Sequence, residues 1–110
     1  MTGRRPLTEI AQEAWKIHLR QGSWAIDATA GNGLDTEFLA RNVGPDGRVF
    51  AIDIQELAVQ NTARRLEEAG LLDRVTLIRG DHARMRDSLA CGMRGRIDLI
   101  CFNLGYLPTG

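Results

Sequence analysis

The sequence predicts an α/β domain built on a parallel sheet, and three features carry the prediction. Short apolar runs of strand type alternate four times with segments of helical periodicity. The runs are nearly continuous in apolar residues, as suits parallel strands covered on both faces. At or just beyond their carboxyl ends stand Asp27, Asp53, Asp81 and Asn103. Right-handed crossovers leave few topologies, and the strand order 3-2-1-4 puts a switch point between strands one and four. Ligands in such sheets bind outside the strand carboxyl ends beside that point. The four polar residues therefore converge where a ligand belongs.

Leu7 to Arg20 carries Leu7, Ile10, Ala11, Ala14, Trp15, His18 and Leu19 on one face and reads as an amphipathic helix stopped by Gly22. It either covers one face of the sheet or lies over a ligand pocket; Trp15 and His18 are expected to be packing residues. Strand one is Trp24 to Thr29, and a helix follows from about Leu34 to Asn42. Gly44-Pro45-Asp46-Gly47 is a turn signal. Strand two runs from Arg48 to Ile54. In the next helix, Leu57 to Ala69, the inward set is Leu57, Ala58, Thr62, Ala63, Leu66 and Ala69, and Gly70 is its stop residue. Strand three is Val75 to Ile78, a shorter helix spans Ala83 to Ala90 with Met85 and Leu89 inward, and strand four is Ile97 to Phe102.

A length of 110 residues bounds the chain to one domain. Its 14 basic and 14 acidic residues balance, so composition gives no push toward nucleic acid or membrane. No apolar run approaches the roughly 20 residues of a membrane span. Met1 to Pro6 has no long apolar stretch behind it, so no signal peptide is expected. Cys91 and Cys101 make neither a disulfide framework nor a metal-ligand pair, and Cys101 reads as a buried thiol. No metal and no membrane association are expected, and the cytoplasm is the default compartment. Arg74, Arg79, Arg84, Arg86, Arg94 and Arg96 crowd the second half and could meet phosphates, but Asp73, Asp81, Asp87 and Asp98 lie close by, as on a solvated surface.

The chemistry centres on Asp27-Ala28-Thr29-Ala30-Gly31-Asn32-Gly33-Leu34-Asp35-Thr36. A strand that ends in a Gly-rich turn and feeds a helix brings backbone N–H groups up to a ligand. The dinucleotide fingerprint G-x-G-x-x-G fails, because Thr36 replaces its third glycine. That disfavours a nicotinamide dehydrogenase, while an ordinary strand–turn–helix corner stays open. Asp53 lies where a ribose-binding acid belongs, about 20 residues beyond the glycines; a solvated acid is the plain alternative. Gly80-Asp81 is also a common turn, and His82 either meets a ligand or caps the following helix. Asn103-Leu104-Gly105-Tyr106 is a polar and aromatic group at a strand end or, more simply, a buried turn.

The pattern acid-x-small-x-G-x-G resembles motif I of class I S-adenosylmethionine-dependent methyltransferases. Asp81 resembles the motif III acid of that class, which receives the adenine amine. Asn103-Leu104-Gly105-Tyr106 resembles the Asn-Pro-Pro-Tyr motif of enzymes that methylate amine nitrogen, with Leu-Gly in place of Pro-Pro. Together with Asp53-Ile54-Gln55 and the continuation Leu107-Pro108, these stretches resemble the YtqB/MnmM-like rRNA/tRNA methylase family, from about Trp24 to the end.

The resemblance implies a Rossmann-like class I methyltransferase fold in a single domain. It implies a tRNA methyltransferase that N-methylates 5-aminomethyl-(2-thio)uridine at the anticodon wobble position. Asp27, Ala30, Gly31, Asn32, Gly33, Asp35, Thr36, Asp53, Gln55, Asp81 and His82 would hold S-adenosylmethionine. Asn103 and the Leu104 backbone would orient the amine, with Gly105 beside them and Tyr106 stacked on the pyrimidine. The family motif continues as Leu-Pro-Gly-Gly-Asp-Lys, whereas here Pro108-Thr109-Gly110 closes the chain. The expectation is therefore a domain lacking the last strands, with strand four as an exposed apolar edge through which two copies could pair. A methyltransferase for another amine, on rRNA or a small molecule, and a non-catalytic cofactor-binding or dimerisation fragment are the alternative readings.

Overall fold

The computed structural model describes residues 7–81, 83–85, 89, 95–102 and 105–108. In chain order it has α1 (Leu7–Lys16), β1 (Trp24–Asp27), α2 (Leu34–Val43), β2 (Arg48–Asp53), α3 (Glu56–Glu68), a 3-10 turn (Leu72–Arg74), β3 (Val75–Arg79), β4 (Leu99–Phe102) and β5 (Gly105–Pro108). The sheet order is β3-β2-β1-β4-β5. β1, β2, β3 and β4 pair in parallel, as predicted.

One expectation is corrected. β4 is not an exposed edge, because β5 pairs with it antiparallel over Leu99↔Pro108, Ile100↔Leu107, Cys101↔Tyr106 and Phe102↔Gly105. The polar groups along the outer side of β4 are thus satisfied within the chain, and the proposed pairing of two copies through that edge loses its basis.

Alternation along the strands divides the core in two. Ala25, Val49, Ala51, Val75, Leu99 and Cys101 face the helices, packing with Ala11, Trp15, Leu39, Ala40, Val43, Leu66 and Leu71. Ile26, Phe50, Ile52, Ile97 and Ile100 face the other way, against Trp24, Ile78, Met85 and Leu89. Cys101 is the buried thiol that the sequence predicts, and burial pushes it above its ordinary range. Asp27 and Asp53 continue the alternation of Ala25, Val49 and Ala51, so both acids belong to the helix-covered face and that face positions the site.

The helices depart from expectation in detail. α1 ends at Lys16, leaving His18 in the following turn, and Ile10 is half exposed rather than packed. Trp15 is fully buried, with its ring 6.2 Å from that of Phe38. α3 buries Ala58, Thr62 and Leu66, but Leu57 turns outward at 65% exposure. Its end follows the sequence: Gly70 N–H donates to the Glu67 carbonyl and Leu71 N–H to the Leu66 carbonyl, at 3.1 and 2.8 Å, a Schellman stop. Of the shorter helix expected over Ala83 to Ala90, residues 83–85 and 89 are helical and the rest lie outside the described residues.

Candidate functional site

Strand register sets the height of the two central acids. Asp27 ends β1 opposite Ala51 on one side and Cys101 on the other. β2 continues past Ala51 to Asp53, which pairs with Arg79. Two further residues of strand carry Asp53 about 6.6 Å beyond the level of Asp27. Asp27 is therefore sunk at 2% exposure, and Asp53 reaches the rim at 9%.

Between them runs the glycine loop. Ala28 N–H donates to the Cys101 carbonyl at 2.7 Å and Ala30 N–H to the Ile52 carbonyl at 2.9 Å, so the loop leaves β1 by bridging to both neighbouring strands. Gly31 and Gly33 have φ of 57° and 89°, the left-handed region. At Gly33 a second constraint applies, since a Cβ there would stand 3.0 Å from the Thr62 Cα of α3. Gly33 N–H closes the turn on the Ala30 carbonyl at 2.9 Å, and Asn32 Oδ1 accepts the Leu34 N–H at the start of α2.

The two carboxylates are held differently. Asp27 Oδ2 accepts a 2.6 Å bond from the Thr36 hydroxyl, and Oδ1 accepts the Thr29 N–H at 3.2 Å. Burial pushes the Asp27 carboxyl from 3.8 up to about 6, against those two bonds, and the charges of Asp35 and Asp53 add to the rise. Asp53 Oδ2 accepts the Gly31 N–H at 3.0 Å and Oδ1 the Gln55 N–H at 2.9 Å. Asp35 is half-buried under α1, where Gln12 donates to it at 3.3 Å; burial raises its carboxyl too.

A cavity of about 220 Å³ opens at this rim, lined by Gly31, Asn32, Asp53, Gln55, Leu57, Ala58 and Asn61. Four predicted site residues, Gly31, Asn32, Asp53 and Gln55, thus share one wall. Ala30 and Thr36 are buried behind them, and the Thr36 hydroxyl bonds Asp27. Asp81 is exposed, its Oδ1 accepting the Ala83 and Arg84 N–H groups as a cap. His82, Asn103 and Leu104 lie outside the described residues; Gly105 and Tyr106 lie in β5.

Leu57, Ala58 and Asn61 were missed as site residues, although the first turns of a helix after a rim acid are where such a wall should be sought. Ile54, next to Asp53, is 63% exposed, an apolar side chain left open beside the cavity's acid. Among the described residues no group of three His, Cys, Asp or Glu is placed to hold a metal, and no helix is long and apolar enough to cross a membrane.

The parallel order β3-β2-β1-β4, with a glycine loop after β1 and an acid ending β2, is that of a Rossmann-like sheet, and its likeness to solved methyltransferases makes it the class I methyltransferase form of that fold. Within that class the chain belongs to the rRNA methylase family: the family model described as "Putative rRNA methylase" matches residues 49–110, more than half of the chain. A relative in Arabidopsis thaliana, "tRNA (mnm(5)s(2)U34)-methyltransferase, chloroplastic", is 36% identical over 116 residues, covering 98% of this chain and 42% of the relative. The structure of an rRNA methylase from Streptococcus thermophilus superposes with a TM-score of 0.70 at 30% identity, over 88% of this chain and 54% of that one. A "putative methyltransferase" from Streptococcus mutans "in complex with SAH" gives 0.75 at 34% identity, over 99% and 57%. The chain spans less than half the length of the plant relative and little more than half of these two structures.

Proposed function

We propose that this chain is the cofactor-binding part of an S-adenosylmethionine-dependent methyltransferase acting on tRNA, N-methylating 5-aminomethyl-(2-thio)uridine at the wobble position. The observation that carries the cofactor assignment is the Asp53 carboxylate at the cavity wall, fixed by the Gly31 and Gln55 N–H groups. A carboxylate has about four lone-pair positions. Among the described residues two are occupied, by Gly31 and Gln55 N–H, and the other two suit a vicinal ribose diol. Exposed Ile54 and Leu57 beside it offer apolar cover for a base.

The loop also disfavours a dinucleotide. The amides of Gly31, Gly33 and Leu34 are taken by Asp53, Ala30 and Asn32, so they are not presented to a pyrophosphate. The carboxylates of Asp27, Asp35 and Asp53 favour a cationic ligand over a polyanion.

Bound, S-adenosylmethionine would supply an electrophilic methyl group. The chain's part is to place and align, since methyl transfer to a neutral amine needs near-attack geometry more than a strong base. We assign that part to Asn103 and the Leu104 backbone as acceptors for the amine, with Gly105 and Tyr106 of β5 following them in the chain and Tyr106 stacking on the pyrimidine. The name of the plant relative supports tRNA as the partner. The cytoplasm remains our proposal for the compartment, the plant relative being chloroplastic.

Methyl incorporation from labelled cofactor tests the substrate. Label should enter tRNA carrying 5-aminomethyl-2-thiouridine and neither rRNA nor tRNA with cytidine at the wobble position. Label in rRNA or in a small-molecule amine would replace this substrate, and cofactor binding without transfer to any of them would mark a non-catalytic fragment. Asn103→Ala should lower turnover by about 100-fold while leaving cofactor affinity within about twofold, as expected for a group that orients reactants. A parallel fall in affinity would make Asn103 a pocket residue.

A further inference from the structure

Besides its internal turn, the glycine loop is held from outside by helix α3. Thr62, fully buried, donates its hydroxyl to the Gly31 carbonyl at 3.2 Å. One helical turn on, Arg65 Nε donates to the Asn32 carbonyl at 3.0 Å, and its Nη1 is braced by Glu37 of α2 at 3.4 Å. Gly33, next along the loop, is where α3 comes so close that a Cβ would meet the Thr62 backbone at 3.0 Å. Two successive carbonyls and one bare α-carbon of the loop thus rest on a single helix face.

The consequence reaches the ligand side through Gly31. Its carbonyl is anchored by Thr62, and its N–H orients Asp53 Oδ2 at 3.0 Å. Two successive peptide planes carry these groups, with only two soft dihedrals between them. Fixing the Gly31 carbonyl therefore restrains the N–H that aims the carboxylate. Gly31 needs such restraint, because glycine populates left- and right-handed conformations alike, and nothing lies within 4 Å of where its Cβ would be.

We infer that Thr62 and Arg65 of α3 are positioning residues for the nucleoside end of the cofactor site, acting through the Gly31 and Asn32 carbonyls to hold Asp53 toward the ribose diol. This rests on the S-adenosylmethionine reading of the site and names residues that the motif pattern leaves out. Leu57, Ala58 and Asn61 of α3 line the cavity, whereas Thr62 and Arg65 act through the loop's carbonyls.

The test is calorimetric titration of the chain with S-adenosylhomocysteine and with its 2′-deoxy analogue. Thr62→Val keeps the shape and removes the hydroxyl. It should weaken S-adenosylhomocysteine about fivefold to tenfold, as for one lost hydrogen bond, and leave the 2′-deoxy analogue within about twofold. Thr62→Ser should restore wild-type affinity to within about twofold. Should Thr62→Val fail to fold, Arg65→Met should show the same selective loss. Unchanged affinity, or equal loss for both ligands without rescue by serine, would overturn the inference and leave Thr62 a packing residue. Failure of the wild-type chain to bind S-adenosylhomocysteine would instead overturn the cofactor reading on which the inference rests.

Discussion

Asp27 and Asp53 are the same residue type at the ends of neighbouring strands, on the same face of one sheet, yet they are built for different tasks. Asp27 is sunk, with its two oxygens occupied by Thr36 of α2 and Thr29 of the loop that follows β1. Asp53 is lifted to the rim by two residues of strand, and its two backbone bonds aim it at the cavity. Position in a sequence motif thus sets which residues meet, while strand stagger decides which of them faces a ligand and which shapes the loop that does.

The largest expected effect that would sharpen this contrast concerns the sunken acid. The folded value for Asp27, about 6, lies above its unfolded value of 3.8, so between those values the folded state holds the extra proton. Stability associated with Asp27 is then fully present below about pH 4 and lost as the pH rises to about 6. Asp27→Asn removes this loss. Its stability relative to the wild type should rise by about 3 kcal/mol between pH 4 and pH 7 in urea unfolding. A difference that stays constant with pH would show that Asp27 is not the buried, proton-binding partner of the pair.

The next effect separates the two glycines. Gly33→Ala meets both a left-handed φ and the α3 backbone, and should cost about 2 to 3 kcal/mol of stability. Gly31→Ala meets the φ alone, in open space, and should cost about 1 to 2 kcal/mol. Equal losses for the two variants would deny the close approach of α3 to the loop.

Much of this architecture is legible in the residues. Unbroken apolar runs reveal the parallel strands, and Asp27, Asp53 and the glycines stand at their ends because polar groups cannot stay within such runs. Other parts are not. β5 is hidden because Gly105 and Pro108 read as turn residues, and proline is tolerated only where a ladder bond is absent, as at an edge. Leu57 counts as inward by helical periodicity, but the cavity lies over that turn of α3 and leaves it open. Thr62 and Arg65 look like a core filler and a surface charge, since helix-face counting cannot show a loop carbonyl arriving from another element. Thr36 reads as a failed third glycine, although its hydroxyl is what the buried Asp27 requires.

The smallest effect lies away from both acids. Arg41 holds Glu37 at 2.7 Å and, with Arg65, keeps the Glu37 carboxyl below its ordinary range. The Arg41 side chain is exposed, so Arg41→Gln should cost no more than about 0.5 kcal/mol, fading in high salt. A loss comparable to that of Gly33→Ala would place a surface ion pair on a level with the loop itself.

The most direct measurement is calorimetric titration of the chain with S-adenosylmethionine, beside Asp53→Ala and with NAD as the control ligand. Two charge-assisted hydrogen bonds to ribose hydroxyls imply a loss of about 100-fold or more in Asp53→Ala, with no binding of NAD by either form. Equal affinity in wild type and Asp53→Ala, or preference for NAD, would contradict the assignment of the β2 rim as the ribose-binding edge of a methyltransferase cofactor site.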